Sequence, residues 1–364
     1  MRLKWSLTGR FYTAIVAPTN DVEISWEVNM KLILKGLLAS TVAATTMLGA
    51  AQAADKVLTM SHWAGPKHAM ATKVHPWFSE QLKACSGGSL SVKLENGLAP
   101  PPAQYDTVRD GVADVGWIVH GYTKGKFLTT KMIELPGLPG NAESMSVAFQ
   151  STHEKFFAAA KEAKGVQVLA NFVHGPGVVN TSEKITSYKE LEGRKIRVGG
   201  GVANAVGKAL GVAGVNMPAP AVYEAISSGV AEGVFFPLET LYSFKINELT
   251  KYSFKNPDGM YTTSFAFIMN QDSYDGLSAE HKACVDKVRG VEMARTIGRF
   301  WDEADTIGMK ESAKTGSQVI EASAEERAYF KEKTAGIEAA VLAEIESRGV
   351  DAKAALAFMK SMLK

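Results

Sequence analysis

The chain has 364 residues, 46% of them hydrophobic and 21% charged, with 40 Lys and Arg against 38 Asp and Glu. That length accommodates two domains with sizeable cores, and the composition is ordinary for a globular protein. With no basic stripe or tail, nucleic acid and anionic membrane surfaces have no electrostatic hold on it.

Residues 1 to 29 scatter Arg10, Asp21, Glu23 and Glu27 among aromatics without helical or strand periodicity. They read as a non-translated or disordered extension ahead of a true start at Met30; peptides from this segment in expressed protein would contradict that start. The following "MKLILKGLLASTVAATTMLGAAQAADKVL" has the parts of a secretory signal over 30–53: Lys31 and Lys35, an apolar stretch from Gly36 to Ala50, and a small-residue cleavage site at Ala51-Gln52-Ala53. Cleavage is expected after Ala53, which places the protein in the periplasm. The alternative is an uncleaved anchor, because the run approaches the ~20 apolar residues that cross a bilayer. Cleavage removes five basic and three acidic residues and leaves 35 of each, a formally neutral chain. In an oxidising compartment Cys85 and Cys284 form either a disulfide or two buried thiols, which a thiol titration of unfolded, unreduced protein distinguishes.

The mature chain opens with the strand "KVLTMSHWA", then a helical pattern in "GPKHAMATKVHPWFSEQLKACSGG" that ends at a glycine pair suited to a C-cap. "SLSVKLE" alternates as a strand, "PPAQYDTVRDGVA" is a short helix begun after prolines, and "DVGWIVH" is strand-like again. The alternation resumes with "GVQVLANFV", "GRKIRVGG", the helices "GVANAVGKALG" and "APAVYEAISSG", and the strands "EGVFF" and "YTTSFAFIMN". Strand and helix alternating in this way predict an α/β fold. From Ser278 to about Lys314 apolar residues fall at three- and four-residue steps without a proline, predicting one helix of ~35 residues, ~50 Å long. Two more amphipathic helices begin near Ala324 and Asp351.

"GRKIRVGGG" invites a phosphate-loop reading, and counting residues removes it. A Walker loop needs a glycine five before Gly207, where Val202 stands, and a hydroxyl after Lys208, where Ala209 stands. The dinucleotide pattern needs a third glycine at Asn204. The glycines are read instead as positions for close backbone packing or positive φ. Arg197 ends a strand, the place where α/β sheets bind ligands, and its planar fork suits a carboxylate. The histidines His62, His68, His75 and His120 lack carboxylates at ligand spacing, so no metal is expected, and no nucleophile or zinc motif nominates an enzyme. In "EGVFFPLET", Phe235 is read as core, while Phe236 faces the opposite way just before Pro237, where a ligand crevice would lie.

Together these segments resemble the solute-binding proteins of TRAP transporters, the tripartite ATP-independent periplasmic systems that import organic acids. The resemblance runs from about Asp55 to Lys364 and is most specific in "KELEGRKIRVGGGVANAVGKALGVAGVNMPAPAVYEAISSGVAEGVFFPLETLYSFKINELTKY". It implies a two-domain flytrap, 55–174 plus 262–295 and 175–261 plus 296–364, joined by a long helix at about 278–314. It also implies that Arg197 forms a salt bridge with a ligand carboxylate, that small and large integral membrane subunits receive the ligand, and that an ion gradient drives import. The chain is expected to be a monomer without a cofactor.

Two departures from the family pattern bear on the ligand. Many members carry an asparagine before the loop proline, where this chain has Phe236, and a second ligand arginine seen in some members is absent from "HGPGVVNTSEKI". An apolar wall would leave sugar-acid hydroxyls unpaired at about 1–3 kcal/mol each. The expected ligand is therefore a monocarboxylate with an apolar or aromatic body, or a small 2-oxo acid, with a C4-dicarboxylate as the alternative. Loops at strand ends are expected to supply the other wall through His62, Trp63, His68, His120 and Tyr122, with Tyr261 adding a phenol. A periplasmic protein feeding a sensor, or a secreted α/β enzyme, are the competing classes.

Overall fold

The computed structural model describes residues 55–363. The extension, the signal segment and the cleavage site lie outside them. Among the described residues, no helix is long and apolar enough to cross a membrane.

In chain order the strands are β1 (Lys56–His62), β2 (Leu90–Asn96), β3 (Val115–Val119), β4 (Val166–Val173), β5 (Val178–Thr181) and β6 (Lys195–Val198). They continue as β7 (Ala213–Asn216), β8 (Gly233–Phe236), β9 (Tyr252–Lys255), β10 (Ser264–Asn270) and β11 (Gln318–Glu321). They form two sheets, one of order β2-β1-β3-β10-β4 and one of order β11-β9-β5-β8-β6-β7. Strands β1, β2 and β3 run parallel, as helical crossovers require, and β10 is inserted antiparallel between β3 and β4. In the second sheet β6 is parallel to both β7 and β8, so Arg197 on β6 lies beside Val234 on β8. The chain passes from the first sheet to the second between Val173 and Val178, and returns between Lys255 and Ser264. The α/β architecture read from the alternation is the one observed.

The long helix differs from expectation. Instead of one helix over 278–314 there are two, Ala279–Val288 and Val291–Ala313, broken at Gly290, whose φ is 87°. The Gly290 N–H leaves the helical ladder to donate to Leu169 O at 2.7 Å, fixing the break against β4. The second helix, about 35 Å long, lies against elements that follow both sheets. Its Asp302 carboxylate accepts from Ala142 N and Glu143 N (2.8 and 3.0 Å), capping the helix Ala142–Thr152. One turn on, Asp305 accepts from Glu239 N at 2.7 Å, beyond the end of β8. Close approach is possible because Gly298 and Gly308 have no side chain: a Cβ on Gly298 would meet Ala142 O at 2.5 Å, and one on Gly308 would meet the Leu238 carbonyl carbon at 2.8 Å.

Cys85, at the end of the helix His75–Cys85, is disulfide-bonded to Cys284 on the helix Ala279–Val288, 199 positions away.

Candidate binding site

The site lies where the carboxyl ends of β6 and β8 face the loop after β3, and Arg197 is its centre. The side chain is 2% exposed. Its Nε and Nη2 donate to Met217 O at 3.0 and 2.8 Å, Nη1 donates to Phe235 O at 3.4 Å, and Nη2 donates to the Tyr122 hydroxyl at 3.2 Å. The guanidinium sits 4.5 Å from the centre of the Phe236 ring. None of these partners is a carboxylate. Burying a cation without a counter-ion is costly, and backbone carbonyls and an aromatic face offset only part of that cost.

Five N–H groups are available on a guanidinium, and these contacts use four, leaving one on Nη1. Tyr122 Oη accepts from Arg197 and from Ala219 N at 2.9 Å, so its own proton is available to donate. The fork expected to grip a carboxylate by itself therefore shares the task with Tyr122. An anion here is met by Nη1–H and the phenol, or displaces the phenol to reach both terminal nitrogens.

The pocket around Arg197 encloses about 480 Å³ of empty space, mouth included. Its floor is aromatic. Trp63 stacks on Trp117 with centroids 4.0 Å apart, and Phe265 stacks on Trp301 at 5.4 Å. Phe236, Phe244, Tyr261 and the rings of His68 and His174 also line it. Among the described residues, Arg197 is the one lining residue with a permanent positive charge; no lysine or second arginine contributes.

Burial sets the charge of the other groups. It lowers His68 to about 3 and His174 to about 4, so both rings are neutral near pH 7. For His174 the neighbouring Arg197 charge adds to the effect. Burial raises Glu239 to about 8, against the lowering hydrogen bond from Ser243, with Asp305 nearby raising it further. Asp305 itself is raised to about 7, again chiefly by burial. The 3.8 Å approach of His68 Nε2 to Glu239 Oε1 has the look of an ion pair. With both groups inside the core and each pushed toward its neutral form, it is a contact between uncharged groups. The pocket therefore carries a net single positive charge at neutral pH.

Of the expected site residues, Arg197, Phe236, Tyr122, Trp63, His68 and Tyr261 line this pocket, and two do not. His62 lies behind the wall, where its Nδ1 accepts from Trp117 Nε1 at 3.3 Å, so it holds the indole rather than a ligand. His120 is turned away toward Phe127, Phe149 and Ser264 Oγ (3.1 Å), because it follows β3 into a separate crevice. Phe235, expected as core alone, packs against Tyr261 and also reaches the pocket. Trp117, His174, Glu239, Phe244, Phe265 and Trp301 were not anticipated. Their hydrophobic spacing is the same whether they face a core or a closed cleft, and Glu239 follows Phe236 by only three residues in the segment that was singled out.

Two of the three glycines have a packing reason. Gly200 (φ 94°) and Gly201 (φ 57°) are left-handed, and a Cβ on Gly200 would meet Gly121 O at 2.7 Å. They let the two loops touch backbone to backbone beside Tyr122. The helix Gly201–Ala209 that follows is met by a carboxyl rather than a phosphate: Val202 N donates to Glu134 Oε2 at 2.8 Å, and Glu134 Oε1 accepts from Ser264 N and Oγ (3.0 and 2.6 Å).

These shifts fix a pH profile for stability. His62, His68, His120, His153 and His174 are all lowered to about 3 or 4 by burial. Between pH 6.5 and about 4 the unfolded chain binds more protons through them, so stability falls with falling pH. Glu239 and Asp305 act oppositely: their raised values favour the folded, protonated state, and that contribution is lost as pH rises through about 7 to 8. The histidines outnumber the acids, so unfolding midpoints at pH 5, 6.5 and 8 should be highest at 6.5 and lowest at 5. Rising stability down to pH 5 would contradict this assignment.

The family described as bacterial extracellular solute-binding protein, family 7, matches residues 60–344. A TRAP periplasmic solute-binding protein from Bordetella bronchiseptica, solved with bound (R)- and (S)-mandelate, is 34% identical with a TM-score of 0.82, covering 85% of this chain and 98% of that one. A marine metagenome TRAP protein specific for aromatic acid ligands, in complex with metahydroxyphenylacetate, is also 34% identical, with a TM-score of 0.80 over 85% and 98%. A third, from Rhodoferax ferrireducens with copurified benzoate, is 30% identical with a TM-score of 0.80 over 85% and 97%. Fold and family match agree: the chain belongs to family 7 of the bacterial extracellular solute-binding proteins and is a TRAP solute-binding protein.

Proposed function

We propose that this protein captures an aromatic monocarboxylate in the periplasm and delivers it to the integral membrane subunits of a TRAP transporter. The observation that carries the reading is a buried arginine without a carboxylate partner, in a pocket that is otherwise neutral and walled by stacked tryptophans. In this reading the ligand carboxylate supplies the missing counter-ion to Arg197 and hydrogen-bonds to Tyr122, while its ring replaces water against Trp63, Trp117, Phe265 and Phe236. Desolvation strengthens the charge-assisted contact. Similar proteins solved with mandelate, metahydroxyphenylacetate and benzoate support the same ligand class.

Tyr122 follows β3 in one sheet and Arg197 lies on β6 in the other, so an anion bound to both holds the lobes together, and binding favours the closed form. Lobes of 55–174 with 262–295 and 175–261 with 296–364 fit the two chain crossings and the helix Val291–Ala313 that touches both sides. A C4-dicarboxylate would need a second cation, and the lining residues provide none. The segment in which some family members carry a second arginine, "HGPGVVNTSEKI", contains none here, and its His174 is neutral near pH 7.

Thermal-shift measurements with benzoate, mandelate, succinate, malate and galactonate test the proposal. Benzoate or mandelate at a hundred times Kd should stabilise the protein by about 2.7 kcal/mol, and the other three should leave the midpoint unchanged. Stabilisation by succinate, malate or galactonate alone would oppose it. Neighbouring genes for one small and one large multi-span membrane protein separate transport from sensing.

A further inference from the structure

We propose that the pocket has a second recognition point, formed by the Trp301 Nε1–H and His68 Nε2–H donors, which takes an oxygen substituent borne by the ligand's ring away from its carboxylate. The inference rests on the aromatic-acid reading above and narrows it to hydroxy- or oxo-substituted acids.

Three tryptophans line the pocket. Trp63 Nε1 donates to Trp117 O and Trp117 Nε1 donates to His62 Nδ1, both at 3.3 Å. Trp301 is 1% exposed, and its Nε1 has no acceptor among the described residues. Buried N–H groups without a partner are rare in native proteins, because each forfeits a hydrogen bond to water. His68 adds a second donor. Met70 N donates to His68 Nδ1 at 3.2 Å, so the ring hydrogen of the neutral imidazole is on Nε2. Glu239 Oε1 stands 3.8 Å from Nε2, beyond hydrogen-bond reach, and the other Glu239 oxygen accepts from Ser243 Oγ at 2.6 Å.

The two donor rings meet edge to face, 5.4 Å apart at 81°. They stand apart from the guanidinium: Arg197 covers Phe236, Phe236 stacks on Phe244 at 5.8 Å, and Phe244 meets His68 at 5.7 Å. In this proposal an acid held by Arg197 at one end and carrying a phenolic or carbonyl oxygen at the other supplies the acceptor these donors lack. An unsubstituted ring leaves them unpaired.

Calorimetric titration of the mature protein with benzoate, 3-hydroxybenzoate and 4-hydroxybenzoate tests this, in wild type and in Trp301→Phe. Wild type should bind one of the hydroxybenzoates about tenfold more tightly than benzoate. Trp301→Phe should bring that ratio to about one, each ligand being compared with benzoate in the same variant so that any general loss of packing cancels. In ¹⁵N-tryptophan-labelled wild type, the Trp301 indole N–H resonance should move downfield with the preferred hydroxybenzoate and stay in place with benzoate, a readout independent of whether the variant folds. Equal or weaker binding of both hydroxybenzoates by wild type, or an indole resonance indifferent to the hydroxyl, overturns the second recognition point while benzoate binding preserves the aromatic-acid reading. Absence of benzoate and hydroxybenzoate binding overturns both.

Discussion

Arg197→Lys should lower affinity for an aromatic monocarboxylate by about 2–4 kcal/mol, thirty- to a thousand-fold in Kd. Lysine keeps the charge, but its donors radiate from one nitrogen and do not reproduce the planar fork whose three nitrogens reach Met217 O and Phe235 O and still present an N–H to the ligand. The ammonium is compact and strongly hydrated, and it would have to be buried in the position the guanidinium occupies. Tyr122 would also lose the donor that orients it. Isothermal calorimetry with benzoate measures the loss, and far-UV circular dichroism of the unliganded variant confirms that the fold is retained. Unchanged affinity would falsify the carboxylate clamp.

Removing the disulfide should have the largest effect on stability. Cys85 and Cys284 close a loop across 199 positions, and constraint of so long a loop in the unfolded chain contributes about 2–5 kcal/mol. The double variant Cys85→Ser, Cys284→Ser should therefore unfold at correspondingly lower urea concentration. None of the pocket-lining residues lies on the two bonded helices, so benzoate affinity should change less than threefold. Thiol titration in denaturant should find no thiols before reduction and two after it. Two thiols in the unreduced protein would contradict the bond.

Much of the fold was legible because the long strands and helices carry strong periodic patterns. The alternation of "KVLTMSHWA", "SLSVKLE" and "DVGWIVH" became β1, β2 and β3 of one sheet. Strands β5, β7, β9 and β11 are four residues each, too short to show an alternation against their neighbours; β6 and β8 are no longer, and were legible through the glycines and the proline that bound them. The helix break at Gly290 escaped notice because a glycine inside an apolar period is tolerated in a helix. What ends the helix is a tertiary contact to Leu169 O, and no local pattern encodes it.

In the site, Arg197 and Phe236 were legible because both stand at strand ends, and both line the pocket. His62 and His120 were misplaced for one physical reason. Each neighbours a strand end in sequence, but proximity along the chain does not fix which side of the loop a side chain takes, and the wall position went to Trp117 instead. Glu239 was invisible as a pocket residue because its ordinary carboxylate charge argues for the surface. Only burial beside Asp305 and Ser243 shows that it is held neutral. That neutrality matters to function, since an ionised Glu239 would cancel the positive charge Arg197 supplies.

The claim that one unpaired cation in a neutral aromatic pocket selects the ligand is tested most directly by calorimetric titration of benzoate against terephthalate. The two share a ring and differ by a second carboxylate. The account predicts that benzoate binds with a single site per chain and that terephthalate binds at least a hundredfold more weakly, because the second charge would be buried without a counter-cation, which the neutral N–H donors of Trp301 and His68 do not replace. Terephthalate binding as tightly as benzoate, or more tightly, would contradict it.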